Sequence, residues 1–305
     1  MNASRSVAAD MGRLHIVSKE LEPRRLESGG AGKQYTAFEV NALSPLIGAE
    51  IRGVDLSRPM DVDTLDELKR AFLDWKVLFF RGQNLTGRQQ AAFARNWGEL
   101  QESHPQRRAE INEVARLEHD EANPGSENIW HSDASFHEAP PLGAVLRAVD
   151  LPPLGGDTLW ADTAAAYDGL PQDIKKRIEE LRAVHELPAA NGGIAVLLKS
   201  INARSGRRPV EHPVVRTHPE TGRRSLYVNA AFTSYIVGLS EGESEELLGR
   251  LLHQLYYPEY QVRFHWEAGS VAFWDNRTTV HYGVNDYYPH HRLMERVVIA
   301  GDRPR

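Results

Sequence analysis

The 305-residue chain contains no cysteine. Disulfides, zinc–thiolate centres, iron–sulfur clusters and cysteine nucleophiles are thereby excluded, and any bound metal must be held by His, Asp or Glu. Long apolar runs are missing too: nothing approaches the roughly 20 residues needed to span a bilayer. The N-terminal stretch MNASRSVAADMGRLHIVSKE lacks the apolar core of an export signal. A soluble cytoplasmic protein without membrane association is therefore expected. An excess of basic residues is also absent. The formal net charge is −6 and no Lys/Arg stripe is visible, so a nucleic-acid partner has no compositional support.

The residues that are present suit a globular enzyme, with 41% hydrophobic and 26% charged side chains. The polar, mixed-charge segment 1–34 reads as a mobile N-terminal arm, and a single domain is expected over 35–305. Asp61 to Trp75 has helical spacing at Leu65, Leu68 and Phe72, with Asp61 or Asp63 as N-cap. KVLFFRG then reads as a buried strand and Thr86 to Trp97 as a second amphipathic helix. Strand-like runs follow in GAVLRAVD and GGDTLWAD, then a short helical turn, TAAAYDGLP. A helix is expected over Pro171 to Arg182 from Ile174, Ile178 and Leu181. Residues 186–211, with Asn-Gly-Gly and Ser-Gly, read as a long lid-like loop. HPVVRTHPETGRRSLYVN reads as strand, turn, strand, and Ser240 to Leu255 as a helix whose early glutamates suit its positive end. The C-terminal third returns to short strands. The fold class expected is mainly β with flanking helices, a double-sheet barrel.

Chemistry centres on Trp130-His131-Ser132-Asp133. In a strand, residues i and i+2 share a face, so His131 and Asp133 can reach one metal ion. The tripeptide alone is a weak signal in a chain with 13 histidines. A distal histidine would complete two imidazoles and a carboxylate on one face of an octahedron, the arrangement expected for oxygen-activating iron(II). His281, in WDNRTTVHYGVNDY, is the best candidate. Beyond it, Arg292 and Arg296 lie four apart in the strand-like RLMERVVIAG and can share one face. Arginine pairs with a carboxylate in two hydrogen bonds, as a 2-oxoacid anchored at its far end requires.

WHSDASFHEAPP, GGDTLWADTAAAYDGLP, HPVVRTHPETGRRSLYVN, AFWDNRTTVHYGVNDY and RLMERVVIAGDRP together resemble the TauD/TfdA family of 2-oxoglutarate dioxygenases, most of all its taurine dioxygenase and alkylsulfatase branches. The resemblance runs from about Phe38 to Pro304. It implies a double-stranded β-helix (jelly-roll) core and often a homodimer or homotetramer. It implies Fe(II) as cofactor, with 2-oxoglutarate and O2 as cosubstrates. The implied metal ligands are His131, Asp133 and His281, with no further catalytic side chain. Thr158 and Arg292 fall on 2-oxoglutarate contacts, and Arg296 on an arginine near both cosubstrate and substrate. His104, Ala134, Phe136 and Phe232 fall on substrate contacts. The reaction implied is hydroxylation of a C–H bond in a small anionic substrate, a sulfonate or alkyl sulfate ester, with release of sulfite or sulfate, succinate and CO2.

Two departures bear on the substrate. Arg107 stands where taurine dioxygenase has a tyrosine, and a cationic amine such as taurine's would be repelled there. Glu127 and Asn128 straddle the position of a substrate-contacting asparagine. A phenoxyalkanoate, an amino acid or a natural-product intermediate would suit the same chemistry. A metal-dependent hydrolase or a non-catalytic binding module are the readings from other classes. His212 and His218 read as structural, His290 and His291 as surface residues, and His137 as a border of the pocket entrance. Gly155-Gly156-Asp157 reads as the turn that aims Thr158. Trp274, Asp275 and Asn276 read as packing and capping the turn before His281, with Asp275 and Asn276 alternatively orienting a ligand imidazole.

Overall fold

Strand Val271–Asp275 shows why the chain layers as it does. All five residues, VAFWD, are buried, because opposite sides of the pleat meet different neighbours. Val271 and Phe273 face two helices, while Ala272 and Trp274 face the barrel interior. The computed structural model describes residues 34–187 and 209–305. The expected N-terminal arm, but for Gln34, and most of the expected lid lie outside these residues.

Strands are numbered β1 to β15 along the described chain. The large sheet runs in the order β1 (Glu39–Ala42), β2 (Ala49–Arg52), β3 (Val77–Phe80), β13 (Val271–Asp275), β5 (Gly143–Asp150), β15 (Arg292–Ile299) and β4 (Val114–His119). Only β2 and β3 pair in parallel in this sheet. Facing it is a sheet of β12 (Gln261–Phe264), β6 (Thr158–Asp162) and β14 (Thr279–Gly283). Between them lies an aromatic interior, with Phe79 stacked on Phe264 at 4.1 Å and Trp160 5.8 Å from Trp274. A third sheet holds β11 (Thr233–Ile236), β7 (Arg182–His185) and β8 (Val210–Pro213), and β9 (Val215–Thr217) pairs with β10 (Arg224–Leu226). The expected jelly-roll layout is present.

Helix α1 (Val62–Trp75) starts where Asp61 Oδ1 accepts the Thr64 N–H at 2.9 Å, and buries Leu68, Ala71, Phe72 and Trp75 on the large sheet. Helix α2 (Gly87–Ala94) opens on a capping box between Thr86 and Gln89. Helices α3 (Thr163–Asp168), α4 (Gln172–Ile178) and α5 (Glu241–Leu255) cover the other side. Lys76, which ends α1 with φ +63°, is buried; its Nζ donates to the Leu46 carbonyl at 2.7 Å and lies 3.1 Å from Asp162 Oδ2. Asp162 also caps α3, so this interior ion pair ties the helical layer to the small sheet.

Two expectations need correction. The helix expected over Pro171 to Arg182 stops at Ile178, and Arg182 already belongs to β7. Ile174 and Ile178 fill the last apolar positions on the core side, and β7 then gains ladder bonds on both edges, from β8 and β11. The expected loop 186–211 also ends early, since Val210 and Glu211 pair with His185 and Val184.

Phe273 stacks on Phe72 at 4.0 Å and meets Trp97 and Phe93 edge-on. Phe273→Ala is expected to destabilise the fold by about 3–5 kcal/mol. Urea denaturation of variant and parent measures this; a loss under about 1 kcal/mol would mean the aromatic layer repacks around the cavity.

Candidate metal centre and its surroundings

His281 lies in β14, cross-strand from Trp160 of β6. His131 reaches it by an isolated antiparallel bridge rather than from a strand of its own. The two residues exchange backbone hydrogen bonds, His131 N–H to the His281 carbonyl at 3.0 Å and the reverse at 2.7 Å. Their rings end 4.1 Å apart. The expected strand geometry for His131 and Asp133 is thus replaced by a bridge and a turn: the chain bends after Asp133, where Ala134 has φ +46°. Asp133 comes to the two imidazoles through that turn, and one ligand atom from each of the three lies within 4.8 Å of the others.

The Asp133 turn is held by Asn276. Its Oδ1 accepts the Asp133 N–H at 2.7 Å and the Ser132 hydroxyl at 3.0 Å. Its Nδ2 donates to the carbonyls of Asp133 at 3.0 Å and Pro141 at 3.1 Å. Asn276 therefore orients the carboxylate-bearing turn rather than a ligand imidazole. Asp275 beside it is buried against Arg277 and His218. Burial pushes its carboxyl up, but Arg277 and His218 outweigh that and hold it far below the ordinary range. His218 is structural, as expected. So is His212, whose Nε2 donates to the carbonyls of Ser135 and His137 at 2.9 Å each. His185, buried beside it, takes the Ser135 hydroxyl on Nδ1 at 3.0 Å, while Asn229 donates to the same hydroxyl oxygen. Sequence reasoning missed this second brace, because its members come from β7, β8 and the turn before β11, with no local pattern joining them.

Protonation states suit metal binding. Burial, then the neighbouring His131, push the His281 imidazole down to about 3, so it is neutral at ordinary pH. Burial pushes the Asp133 carboxyl up, but the Arg296 guanidinium, with His281 and His131, holds it below the usual range. Arg296 Nη1 donates to Asp133 Oδ1 at 2.8 Å, whereas buried Oδ2 has no hydrogen-bond partner among the described residues. His131 Nδ1 lies 2.8 Å from the Ile129 carbonyl, which fixes that nitrogen as donor and leaves Nε2 as the ligating atom. The neutral His281 imidazole, the Nε2 that His131 presents, and a carboxylate with an unsatisfied oxygen fit iron(II).

Arg292 opens β15, buried, its Nη2 donating to the Gly156 carbonyl at 3.1 Å and its Nε without a partner among the described residues. A Cβ on Gly156, which has φ +72°, would meet that Nε at 2.9 Å, so the bare glycine turn makes room for the arginine. Thr158 follows at the start of β6. Its Oγ1 accepts from Trp266 Nε1 at 3.0 Å, leaving the hydroxyl hydrogen to donate. Phe232 lies edge-on to His131 at 6.2 Å and packs on Phe136 at 4.9 Å, forming an apolar wall. His137 sits in the same turn, half-buried, its N–H on the Ala134 carbonyl. His104 is exposed, at the head of the 3-10 turn Pro105–Arg107. Of the two arginines there, Arg108 turns away to Glu102 at 3.0 Å, while Arg107 is depressed by burial and then by the nearby Arg296 guanidinium. His290 and His291 are exposed, as expected, with His291 between Asp150 and Glu118.

Comparison with known proteins agrees with this geometry. Residues 39–298 match the family described as taurine catabolism dioxygenase TauD, TfdA. The chain is 38% identical over 274 residues to the alkylsulfatase of Acinetobacter baylyi, covering 87% of this chain and 86% of the relative. It is 38% identical over 275 residues to the alpha-ketoglutarate-dependent sulfate ester dioxygenase of Pseudomonas putida, covering 88% and 91%. The crystal structure of a taurine dioxygenase from Burkholderia xenovorans superposes with a TM-score of 0.77 at 38% identity, over 88% of this chain and 91% of that one.

Asn276→Ala is expected to weaken manganese(II) or iron(II) binding by about 10–100-fold, read by titration of the metal-free protein. An unchanged metal affinity would show that the Asp133 turn holds itself. A second expectation concerns acid. Burial, then His212, lower His185 from 6.5 to about 3. Above 6.5 the ring is neutral folded or unfolded; between 6.5 and about 3 only the unfolded chain takes the proton, so stability falls as pH drops. Replacing His185 with Asn should flatten the difference in unfolding free energy between about pH 7 and about pH 5. An unaltered difference would assign the acid sensitivity to other groups.

Proposed function

The chain belongs to the taurine catabolism dioxygenase TauD, TfdA family, and from that premise we propose that it hydroxylates a C–H bond of a sulfonate or alkyl sulfate ester, releasing sulfite or sulfate. It is an oxidoreductase that uses iron(II), 2-oxoglutarate and O2, with succinate and CO2 as coproducts. The observation that carries the substrate reading is a division of labour among arginines around one His–Asp–His cluster: Arg292 is buried against the Gly156 turn that leads into Thr158, while Arg296 pairs with Asp133 and has the Arg107 guanidinium nearby.

In this reading His131, Asp133 and His281 hold the iron. When bound, the iron with 2-oxoglutarate and O2 supplies the oxidant, one oxygen atom ending in succinate and the other on the substrate carbon. Arg292 and Thr158 grip the far carboxylate of 2-oxoglutarate: the unpartnered Nε of Arg292 and the free hydroxyl hydrogen of Thr158 are donors whose burial is costly until an acceptor arrives. Arg296, with His104 and Arg107, receives the anionic head of the substrate. Phe136 and Phe232 exclude water beside His131 and pack the carbon chain, while the Ala134 backbone borders the same space. These residues supply placement and electrostatics. Arg107 disfavours an amine-bearing sulfonate such as taurine, so an alkyl sulfate or an uncharged-tail sulfonate fits better. The N-terminal arm, the single domain over 35–305 and a lid that ends before Val210 belong to the same proposal.

Succinate release from the iron-loaded enzyme, assayed with sulfonates, alkyl sulfates, phenoxyacids and amino acids, tests it. Stimulation by an alkyl sulfate or sulfonate is expected; stimulation by a phenoxyacid or amino acid alone would move the substrate class. Arg292→Ala removes charge-assisted hydrogen bonds worth about 2–3 kcal/mol, so the KM for 2-oxoglutarate should rise by about 30–150-fold. A hydrolase would keep its activity in that variant.

A further inference from the structure

The Gly155-Gly156 turn that makes room for Arg292 is held from outside. Two residues on the connection from β14 to β15, Asp286 and Tyr287, reach it, and the reaction above gives neither a role. The pairing of β14 with β6 brings them there. It ends on Gly283 and Thr158, and the Val284 N–H then bonds the Asp157 carbonyl at 2.8 Å, one step beyond the strands. Two residues on, Asp286 Oδ1 accepts the Gly156 N–H at 2.8 Å. Gly155 and Gly156 are both left-handed, with φ +83° and +72°. A Cβ on Gly155 would stand 2.5 Å from the same Oδ1, so a bare glycine lets the carboxylate approach. Gly156 is thus bonded on both sides, its N–H to Asp286 and its carbonyl to Arg292 Nη2 at 3.1 Å.

Tyr287 completes the hold. Its ring is buried, and Arg292 Cζ lies over it, 5.5 Å from the ring centre. A guanidinium over an aromatic face is attracted by the ring quadrupole, more strongly where water is excluded. A Cβ on Gly156 would come 3.3 Å from Tyr287 Cδ1 as well as 2.9 Å from Arg292 Nε, so the glycine lies against both ring and guanidinium. The ring is backed by Gly125, where a Cβ would meet the Tyr287 hydroxyl at 2.5 Å, and the Tyr287 carbonyl accepts the His290 N–H at 2.8 Å. Arginine is a long side chain with much rotamer freedom to lose. Fixing its fork before the ligand arrives removes that cost from binding.

We propose that Asp286 and Tyr287 are positioning residues for Arg292: Asp286 pins the glycine turn that takes one guanidinium nitrogen, Tyr287 holds the guanidinium face, and together they set the affinity for the far carboxylate of 2-oxoglutarate. This rests on the reading of Arg292 given above. The pair acts on the end of the cosubstrate that meets the arginine and leaves the metal-chelating end alone.

The test separates those two ends. 2-Oxoglutarate and oxalate, a chelator with no far carboxylate, are each titrated into full-length enzyme loaded with manganese(II). Tyr287→Leu should weaken 2-oxoglutarate by about tenfold or more and Asp286→Ala by about 3–10-fold, with oxalate held within about twofold in both. Tyr287→Phe, which keeps the ring, and Asp286→Asn, which keeps an acceptor oxygen, should bind 2-oxoglutarate within about threefold of the parent. Equal weakening of 2-oxoglutarate and oxalate would assign the pair a merely structural role and overturn the inference, as would unchanged 2-oxoglutarate binding in either Tyr287→Leu or Asp286→Ala. Should Tyr287→Leu not fold, Asp286→Ala decides alone, since Asp286 is exposed and its truncation opens no cavity in the core. Arg292→Ala is the reference. If it weakens 2-oxoglutarate while Tyr287→Leu and Asp286→Ala do not, the positioning role fails and the reading of Arg292 stands; if Arg292→Ala leaves 2-oxoglutarate binding unchanged, both fall.

Discussion

Two backbone hydrogen bonds between His131 and His281 organise everything around them. Together with the Gly283 N–H on the Glu127 carbonyl they stitch the segment before Asp133 to the small sheet, and they bring two imidazoles together without any strand of ordinary length. Because the partner is β14, the position of His131 inherits the rigidity of β6 and of the aromatic interior behind Trp160 and Trp274. The turn carrying Asp133 then needs its own support, which Asn276 supplies from the end of β13. Each ligand is thus fixed by a different neighbour, and none depends on a long flexible side chain for its placement.

The deep and shallow ends of the site are built differently. Arg292 is locked by burial and by a glycine turn that leaves it just enough room, as the proposed grip on an unvarying cosubstrate would need. Arg107 stands on a short 3-10 turn and Glu127 on a connecting segment, both partly open. Loops on a rigid scaffold change more readily than strands, so the proposed substrate end lies where sequence can vary at little cost to the barrel.

Much of this was legible in the sequence, though for uneven reasons. Helix α1 was readable because Asp61 caps it and Leu68 and Phe72 repeat on one face; α4 was read too long because Leu181 continues the helical spacing although Arg182 is claimed by a ladder. His131, Asp133 and His281 were found from residue type and order, but the geometry assumed for the first two was wrong, since a lone bridge and a residue with positive φ leave no periodic trace. Thr158 carried no chemical signal of its own and was visible only through resemblance. Whether Arg107 or Arg108 turns to the site depends on a three-residue helical turn and on Glu102, and neighbouring arginines look alike in a sequence. The hold of Asn276 on the Asp133 turn leaves no local trace, because its four side-chain hydrogen bonds reach 135 to 144 residues back along the chain.

The pairing of Arg296 with Asp133 bears on the order of assembly. A carboxylate sealed in an interior without a counter-charge would oppose its own burial. Here the last strand of the barrel delivers a guanidinium to that carboxylate as the sheet closes, so the polypeptide neutralises its own centre. Chain folding and loading of the ion become separable events, and the protein can wait, already shaped, for its metal.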